Sequence, residues 1–356
     1  MSKHAERFRV RQGECDAYGH LNNAMYLRYA QEAAWSHSSA AGSIGSALCR
    51  ELVARGHSVR ALHRKTSSLA ALQGMPVERV IGDILDPQTL LPALEGVDWV
   101  FHAAAQSDCW RHPELVLQTI VEGTRNVMQA ANQAGVKRAV LTSSLGALGV
   151  PVAGEVITED HRFNLPPERF VYGYAKSQSE IEAFKIAARG LEVVIVNPSI
   201  VLGPGDVNRI GGSMVIEATR GWGFFWMASG TNYVHIDDVV AGHIAAAQQG
   251  RSGERYILGG GNLDHRQSFT ILTENVGRRR PWLKIPGWLI EPAAIAIEWL
   301  RPIVQLPFDS SQLRLSRYHL YCDTSKVRRE LDLPEPRPFR QAAQEAYNWY
   351  REQEMI

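Results

Sequence analysis

The chain has 356 residues, of which 45% are hydrophobic and 21% are charged, and this balance predicts a core large enough for more than one structural unit. Its formal net charge of +1 argues against a general attraction to nucleic acid or to acidic lipid. The four cysteines stand far apart with no CxxC pair, which indicates neither a disulfide framework nor a zinc site and favours a reducing, cytoplasmic location.

Strand-like and helix-like segments alternate from residue 44 onward, a pattern that predicts an α/β fold with a parallel sheet covered by helices on both faces. The predicted strands are 58–62, 79–81, 99–102, 139–142 and 192–196, and the predicted helices are 44–55, 87–94, 116–134 and 172–188. Asp86 followed by Pro87 predicts a helix start, and Gly135 a helix end.

One apolar stretch, residues 288–306, is a candidate for contact with a membrane. Glu291, Glu298 and Arg301 interrupt it, so it is too polar to span a bilayer, and no stable membrane insertion is expected. We expect a helix that covers a substrate pocket, with attachment to a bilayer surface as the less favoured alternative. The first residues also lack the apolar run of a signal peptide.

Tyr172 and Lys176 are four residues apart in a predicted helix, so their side chains share one face. A free tyrosine has a pKa of about 10, and a nearby ammonium would lower it by stabilising the phenolate. A shift of about 3 units corresponds to about 4 kcal/mol. Ser144, at the end of an apolar run, could hold a substrate oxygen within reach of the phenol. These residues predict proton transfer coupled to hydride transfer.

This constellation, in order within a βαβ series, resembles the extended short-chain dehydrogenase/reductase superfamily, which includes NAD(P)-dependent epimerases, dehydratases and dihydroflavonol-type reductases. The resemblance runs from about residue 43 to residue 349. It implies a Rossmann-type doubly wound parallel sheet over residues 43–200 and a smaller C-terminal substrate-binding region over residues 201–356, with segments that return to the core. It also implies catalysis by Ser144, Tyr172 and Lys176.

The dinucleotide-binding turn departs from the family pattern of a buried strand followed by T-G-x-x-G-x-x-G. Gly42 and Gly45 match the second and third glycines, but Ser39 replaces the first. Residues 31–37 are not the continuous Val/Ile run of a strand buried on both faces. The first strand of the sheet is therefore expected to be atypical or missing.

Residues 7–42 resemble the opening of hotdog-fold acyl-CoA thioesterases, in which a strand, an Asp-containing loop and the start of the central helix follow in this order. Asp16 matches the position that in many members orients or activates the attacking water. A segment this short cannot supply a complete thioesterase sheet, so we expect residues 1–42 to be a relic joined to a reductase near residue 41. The alternative is a divergent first strand with an N-terminal extension.

The remaining cofactor features follow the reductase family. Arg64, within His63-Arg64-Lys65, stands where NAD enzymes carry an acid and would suit a 2′-phosphate, so NADP is favoured over NAD. The resemblance places further residues along the adenine, the cofactor loop, the ribose and the nicotinamide: Asp83, His102, Ala103, Ala104, Lys176, Asn197, Pro198 and Ser199. No metal is expected.

The reaction favoured by these residues is reduction of a ketone or aldehyde on a fairly apolar small-molecule substrate. Leu145-Gly146 follows Ser144 where dehydratases of the superfamily carry Asp-Glu, and Arg64 argues mildly against an epimerase that retains NAD. The aromatic run 222–227 could line an apolar pocket. An NAD-dependent sugar epimerase, a catalytically weakened scaffold and an acyl-CoA thioesterase remain as alternatives, with homodimer formation left open.

Overall fold

The computed structural model describes residues 43–105, 113–152, 154–207, 209, 211–300 and 310–356. The strands in these ranges are β1 (Arg60–His63), β2 (Glu78–Ile81), β3 (Trp99–His102), β4 (Arg138–Thr142), β5 (Glu192–Pro198), β6 (Ile200–Leu202), β7 (Phe225–Met227), β8 (Gly230–His235), β9 (Arg255–Leu258), β10 (Gly261–Asp264), β11 (Leu283–Ile285) and β12 (His319–Leu320). The thioesterase-like residues, Gly42 and Asp16 lie outside the described residues.

The helices in the same ranges alternate with the strands over the first half of the chain. They are α1 (Ser43–Ala54), α2 (Pro87–Leu94), α3 (Pro113–Leu117), α4 (Gly123–Gln133), α5 (Val171–Ala187), α6 (Ser213–Thr219), α7 (Ile236–Gln249), α8 (His265–Asn275), α9 (Ile290–Leu300), α10 (Ser310–Leu315), α11 (Ser325–Leu331) and α12 (Phe339–Glu352). Within the described part of the chain, no helix is long and apolar enough to cross a membrane.

The main sheet is parallel, with the strand order β3-β4-β5-β9. Alternate residues of β4 and β5 face opposite sides because side chains of a strand alternate across the sheet. Leu141 and Ile195 pack against α4 and α5 on one face, while Val140 and Val194 pack against α7 and α11 on the other. Burial on both faces explains the near-continuous Val/Ile composition of these strands.

Strands β1 and β2 form a separate parallel pair. In a doubly wound sheet, the strand that precedes α1 lies between the positions of β1 and β3. The residues that would form this strand lie outside the described residues, so the expectation that the first strand is atypical or missing stays a prediction. Helix α1 packs into the core through Leu48 and Leu52, which contact Ile236 and Val240 of α7.

The predicted elements are found close to their predicted bounds. Residues 87–94 and 99–102 match α2 and β3, and the other predicted strands shift by one or two residues at their ends. Asp86 caps α2 by accepting a hydrogen bond from the Gln88 amide, and Gly135 follows α4 with a φ of 72°. The helix predicted over 116–134 is interrupted by a π turn at Gln118–Glu122, which hydrophobic periodicity does not indicate.

The second half of the chain builds a smaller mixed sheet, in which β8 pairs with β6, β10 and β12. His235 ends β8 and caps α7, because its Nδ1 accepts a hydrogen bond from the Asp237 amide at 3.1 Å. Strand β9 returns to the edge of the main sheet. The division of the chain near residues 42 and 200 stays a prediction.

Candidate active site

A cavity of about 630 Å³ opens at the carboxyl ends of β4 and β5, the edge at which parallel α/β sheets bind ligands. One wall comes from the start of α1, the loop after β4 and the start of α5. The opposite wall comes from the second half of the chain. The residues that line the cavity include Ser43, Gly45, Ala103, Ser144, Tyr172, Lys176, Pro198, Ser199, Trp222, Phe225, Met227, His265, Gln312 and Leu313.

Helix α5 brings Tyr172 and Lys176 to the same wall, as their spacing predicts. The Lys176 Nζ lies 5.9 Å from the centroid of the Tyr172 ring. It also donates a hydrogen bond to the backbone oxygen of Thr142 at 2.7 Å. This bond ties the helix to the last residue of β4, so that the ammonium and the phenol are held at the edge of the sheet.

Lys176 is buried, with 3% of its surface exposed, and burial lowers the pKa of its ammonium to about 8. The carboxylate of Glu180, one helical turn further along α5, acts in the opposite direction and favours the charged lysine. The pKa of Lys176 therefore lies close to neutral pH, and the Glu180 carboxylate limits how far burial lowers it.

Of the two adjacent serines, Ser144 is the one that can present a hydroxyl hydrogen to a ligand. Its Oγ accepts a hydrogen bond from the Gly146 amide at 3.2 Å, and this bond caps the 3₁₀ turn Leu145–Leu148. Accepting that bond leaves the hydroxyl hydrogen available for donation. The hydroxyl of Ser143 instead donates to Glu180 Oε1 at 2.5 Å, so it is already engaged inside the protein.

A close contact between the backbone of α5 and the serine loop depends on Gly173. A Cβ atom at this position would lie 2.4 Å from the Phe170 ring and 2.6 Å from the Gly146 oxygen. Helix α5 can approach the turn after Ser144 only because residue 173 has no side chain. The separation between Tyr172 and Ser144 therefore depends on this glycine.

Glu180 is a feature of the site that the sequence reasoning missed. Its fully buried carboxylate accepts hydrogen bonds from Ser143 Oγ at 2.5 Å, Asn197 Nδ2 at 2.7 Å and Arg255 Nε at 2.6 Å. The available signal was the continued four-residue spacing of Tyr172, Lys176 and Glu180, which places an acid on the buried face of α5. We call these four residues the Glu180 cluster: Ser143, Glu180, Asn197 and Arg255.

The residues predicted to bind the phosphates and the adenosine lie at the expected ends of their elements. Ser43 and Gly45 stand in the first turn of α1 and line the cavity, where helix amides favour an anion. Arg64 directly follows β1, and its amide donates to Ser67 Oγ at 3.1 Å. Asp83 follows β2, and its Oδ1 accepts from the Leu85 amide at 2.9 Å. Arg64 and Asp83 lie outside the cavity wall.

Residues at the end of β3 and in the loop after it lie partly at the cavity and partly in the core. Ala103 lines the cavity, whereas Ala104 packs against the hydrophobic core. His102 is buried and its Nε2 lies 3.1 Å from Thr124 Oγ1. Burial, with a smaller contribution from the charge of Lys176, lowers the pKa of His102 to about 3. This histidine is neutral and bonded inside the protein, which favours a structural role.

The segment after β5 leaves polar atoms available for a cofactor. Pro198 and Ser199 line the cavity, and Asn197 lies behind them, donating through Nδ2 to the Ser144 oxygen at 3.0 Å. Asn197 Oδ1 and Ser199 Oγ are buried and make no hydrogen bond among the described residues. Buried polar atoms normally have partners, so this edge of the cavity fits a polar group of a dinucleotide.

The wall from the second half of the chain is mostly apolar. Trp222, Phe225 and Met227 of the predicted aromatic run line it. Polar side chains also line this wall, among them Glu217, Gln312 and His265. His265 Nδ1 lies 3.2 Å from Ser229 Oγ, and burial lowers the pKa of this imidazole to about 4. In the described ranges, no group of three or more acidic, His or Cys side chains is arranged to hold a metal ion.

Two family models match the chain. Residues 40–259 match the family described as NAD dependent epimerase/dehydratase. Residues 10–60 match the thioesterase-like superfamily. These matches confirm both resemblances inferred from the sequence, and they overlap near the point at which the junction was expected.

Curated relatives and solved structures cover most of the chain. Sterol demethylase protein B of Methylococcus capsulatus is 36% identical over 90% of this chain and 98% of its own length. A 4-hydroxy-2-methyl-3-oxo-4-farnesyl-3,4-dihydroquinoline-1-oxide ketoreductase of Stigmatella aurantiaca is 30% identical over 82% of this chain and 88% of its own. The crystal structure of gox2253 is 34% identical over 88% of this chain and 96% of that chain, with a TM-score of 0.77.

A mutant dTDP-glucose 4,6-dehydratase from Streptomyces venezuelae has been solved with NAD bound. It is 25% identical to this chain, covers 89% of it and 96% of its own length, and has a TM-score of 0.71. A dinucleotide is therefore held by a protein of closely similar fold.

Proposed function

The chain belongs to the NAD dependent epimerase/dehydratase family and is an enzyme, and we propose that it reduces a ketone or aldehyde on a fairly apolar small molecule. The observation that carries this proposal is the meeting of Ser144, Tyr172 and Lys176 at one end of a cavity whose other wall is apolar. The ketoreductase among the relatives acts, by its name, on a farnesylated quinoline, which supports an apolar substrate.

In the proposed reaction, NADPH when bound supplies the hydride that is added to the carbonyl carbon. The Ser144 hydroxyl donates a hydrogen bond to the carbonyl oxygen, and Tyr172 gives its phenolic proton to the same oxygen as negative charge develops there. The Lys176 ammonium stabilises the resulting phenolate. The product is an alcohol, and the phenol regains its proton from solvent.

The proposed cofactor contacts follow the position of each residue. The first turn of α1, with Gly45, would receive the pyrophosphate, with Gly42 next to it in the chain. Arg64 would pair with the 2′-phosphate, which favours NADP over NAD. The remaining proposed contacts are Asp83 with the adenine, Lys176 with the ribose, and Asn197, Pro198 and Ser199 near the nicotinamide. His102, Ala103 and Ala104 would run along the cofactor through their backbone, since the His102 side chain is engaged with Thr124.

A sugar epimerase or dehydratase is the second candidate, because solved structures of similar fold have such activities in their names. Two observations favour a reductase over this alternative. The residues after Ser144 are Leu145 and Gly146, which offer no acid or base for dehydration. The cavity wall around Trp222 and Phe225 is mostly apolar, although Ser213, Glu217 and Gln312 also line it, whereas a sugar nucleotide needs polar partners for its hydroxyls.

Activity is tested by following NADPH oxidation with a panel of apolar ketones and aldehydes. Tyr172→Phe should remove nearly all turnover while the dissociation constant for NADPH stays close to that of the wild type. The matched control is Tyr174→Phe on the same helix, whose ring packs 5.9 Å from that of Phe163, and which should remain active. If Tyr172→Phe keeps more than about a tenth of the wild-type kcat, the role of general acid is wrong, since that role contributes about 10²–10⁴-fold.

A further inference from the structure

Helix α9 is apolar on two opposite sides. Ile290, Ala294 and Ile297 are buried and face the protein. A second stripe with helical spacing faces outward and consists of Trp288, Pro292, Ile295, Ala296 and Trp299, all exposed. Glu291 and Glu298 lie between these two sides, and a helix that is apolar on opposite sides is normally covered on both, so the outward stripe is a candidate contact surface.

The exposure of the outward stripe is large. Trp288 is 74% exposed and Trp299 is 82% exposed, and the nearby Trp282 is 71% exposed. Contiguous exposed apolar surface of this kind marks an interaction site. The two acids of the helix do not leave unpaired negative charge beside the stripe. Glu291 and Glu298 both pair with Arg314 of α10, at 3.1 Å and 2.7 Å.

Basic side chains precede this stripe in the chain. Arg278, Arg279 and Arg280 are consecutive and exposed, and Lys284 is exposed on β11. Arg280 pairs with Glu274 at 2.7 Å, and Lys284 Nζ lies 5.2 Å from the centroid of the Trp226 ring. Among the described residues, Arg279 and Lys284 have no acidic partner. Charge and exposed tryptophan therefore occur together within one short segment.

The chain length bounds the distance between these groups. Lys284 is four residues from Trp288, so the two Cα atoms can be at most about 14 Å apart. Trp288 and Trp299 are separated by eleven residues, or about 16 Å along a helix. Exposed cations and tryptophans therefore occur together between residues 279 and 299, and we call these side chains the α9 surface: Trp282, Lys284, Trp288, Ile295 and Trp299, with Arg279 at its start.

We propose that the α9 surface docks onto an anionic lipid bilayer, with α9 lying in the plane of the interface. Tryptophan suits this position because its ring is apolar while its indole N–H can bond to headgroups or water. Lys284 and Arg279 carry the charge that anionic headgroups attract. The helix is interfacial in kind, since its acids and prolines prevent a span while its outer stripe is apolar.

The position of the surface favours lipid over a second copy of the chain. Helix α10 packs against α9 through Arg314, and its residues Gln312 and Leu313 line the active-site cavity. Helix α10 therefore connects α9 with the wall of the cavity. If the protein is the proposed reductase, α10 is the element past which an apolar carbonyl compound would pass from the bilayer to Tyr172.

Binding is tested by flotation of the full-length protein with vesicles of phosphatidylcholine alone or mixed with phosphatidylglycerol. We expect flotation with the mixed vesicles, at least about tenfold weaker partitioning with phosphatidylcholine alone, and release at high salt. Ile295→Ser, at a residue 46% exposed, should weaken partitioning. Its matched control, Ile181→Ser on α5, at a residue 44% exposed, should not.

Two further variants separate the apolar and the charged contributions. Trp288→Ser combined with Trp299→Ser should abolish flotation, and Lys284→Glu should lower it only for the anionic vesicles. Arg189→Glu, an exposed cation outside the surface, serves as the charge control. The far-UV circular dichroism spectrum and the urea unfolding midpoint of each variant report that the fold is intact, so the test depends neither on cofactor binding nor on reductase activity.

Several results would overturn the proposal. They are an absence of flotation, equal partitioning into neutral and anionic vesicles, or equal losses in Ile295→Ser and Ile181→Ser. A dimer in sedimentation velocity that Ile295→Ser dissociates, without vesicle binding, would assign the α9 surface to self-association instead.

Discussion

Replacing Glu180 with alanine should destabilise the protein far more than removing an acid from an exposed ion pair. The Glu180 carboxylate is fully buried, and its partner Arg255 has a side chain that is only 13% exposed. Glu180→Ala leaves that guanidinium without a counter-charge in a site that water reaches poorly. Removing one member of a buried pair costs about 3–5 kcal/mol.

The other members of the Glu180 cluster add to this cost in the same direction. Ser143 Oγ and Asn197 Nδ2 each lose their acceptor on Glu180, and a net hydrogen bond is worth about 1 kcal/mol. Asn197 keeps its second bond, to the Ser144 oxygen, so its loss is partial. We therefore expect the free energy of unfolding to fall by at least about 3–5 kcal/mol, a large share of the stability of a typical protein.

The assay is urea unfolding followed by circular dichroism and tryptophan fluorescence. The control is Glu51→Ala, because the pair of Glu51 with Arg55 is exposed on both sides and should cost less than about 1 kcal/mol. A double-mutant cycle with Arg255→Ala should show that the second substitution costs less once Glu180 is absent. A loss below about 1 kcal/mol for Glu180→Ala would refute the inference that this pair is buried and coupled.

Four further predictions concern the active site and the start of the chain. The kcat/KM for carbonyl reduction should fall as pH rises through about 8, where Lys176 loses its charge, and a flat profile across that range would exclude the lysine. Gly173→Ala should lower kcat at least about tenfold with little change in NADPH affinity, because the new Cβ would meet the Phe170 ring; unchanged kcat would contradict the close-approach argument. Arg64→Ala should remove a preference for NADPH over NADH worth about 1.5–3 kcal/mol, and equal affinities in the wild type, measured by nicotinamide fluorescence, would argue against that pairing. Replacing residues 1–41 with a Val/Ile-rich strand ending in Thr-Gly-Ala-Thr should tighten NADPH binding at least about tenfold; low-micromolar binding by the natural chain, unchanged by the replacement, would show that the junction has no functional cost.

Local patterns were sufficient to predict the order of the first-half elements and the approach of Tyr172 to Lys176. Hydrophobic runs such as β4 and the four-residue spacing on α5 express periodicities of the backbone itself, which do not depend on distant residues. The sequence also showed that residues 31–39 depart from the family pattern of a buried strand and a glycine turn. A strand buried on both faces requires a composition that this segment lacks. The catalytic and cofactor roles drawn from these patterns stay predictions.

Tertiary structure alone decided which buried polar groups meet. The Glu180 cluster joins residues from β5, β9, α5 and the loop after β4, and their partners exist only after the parallel sheet has assembled. The same holds for the two serines, since their order in the chain does not reveal that Ser143 turns inward to Glu180 while Ser144 faces the cavity. Backbone periodicity places a side chain on a face, but its partner depends on which distant element that face packs against.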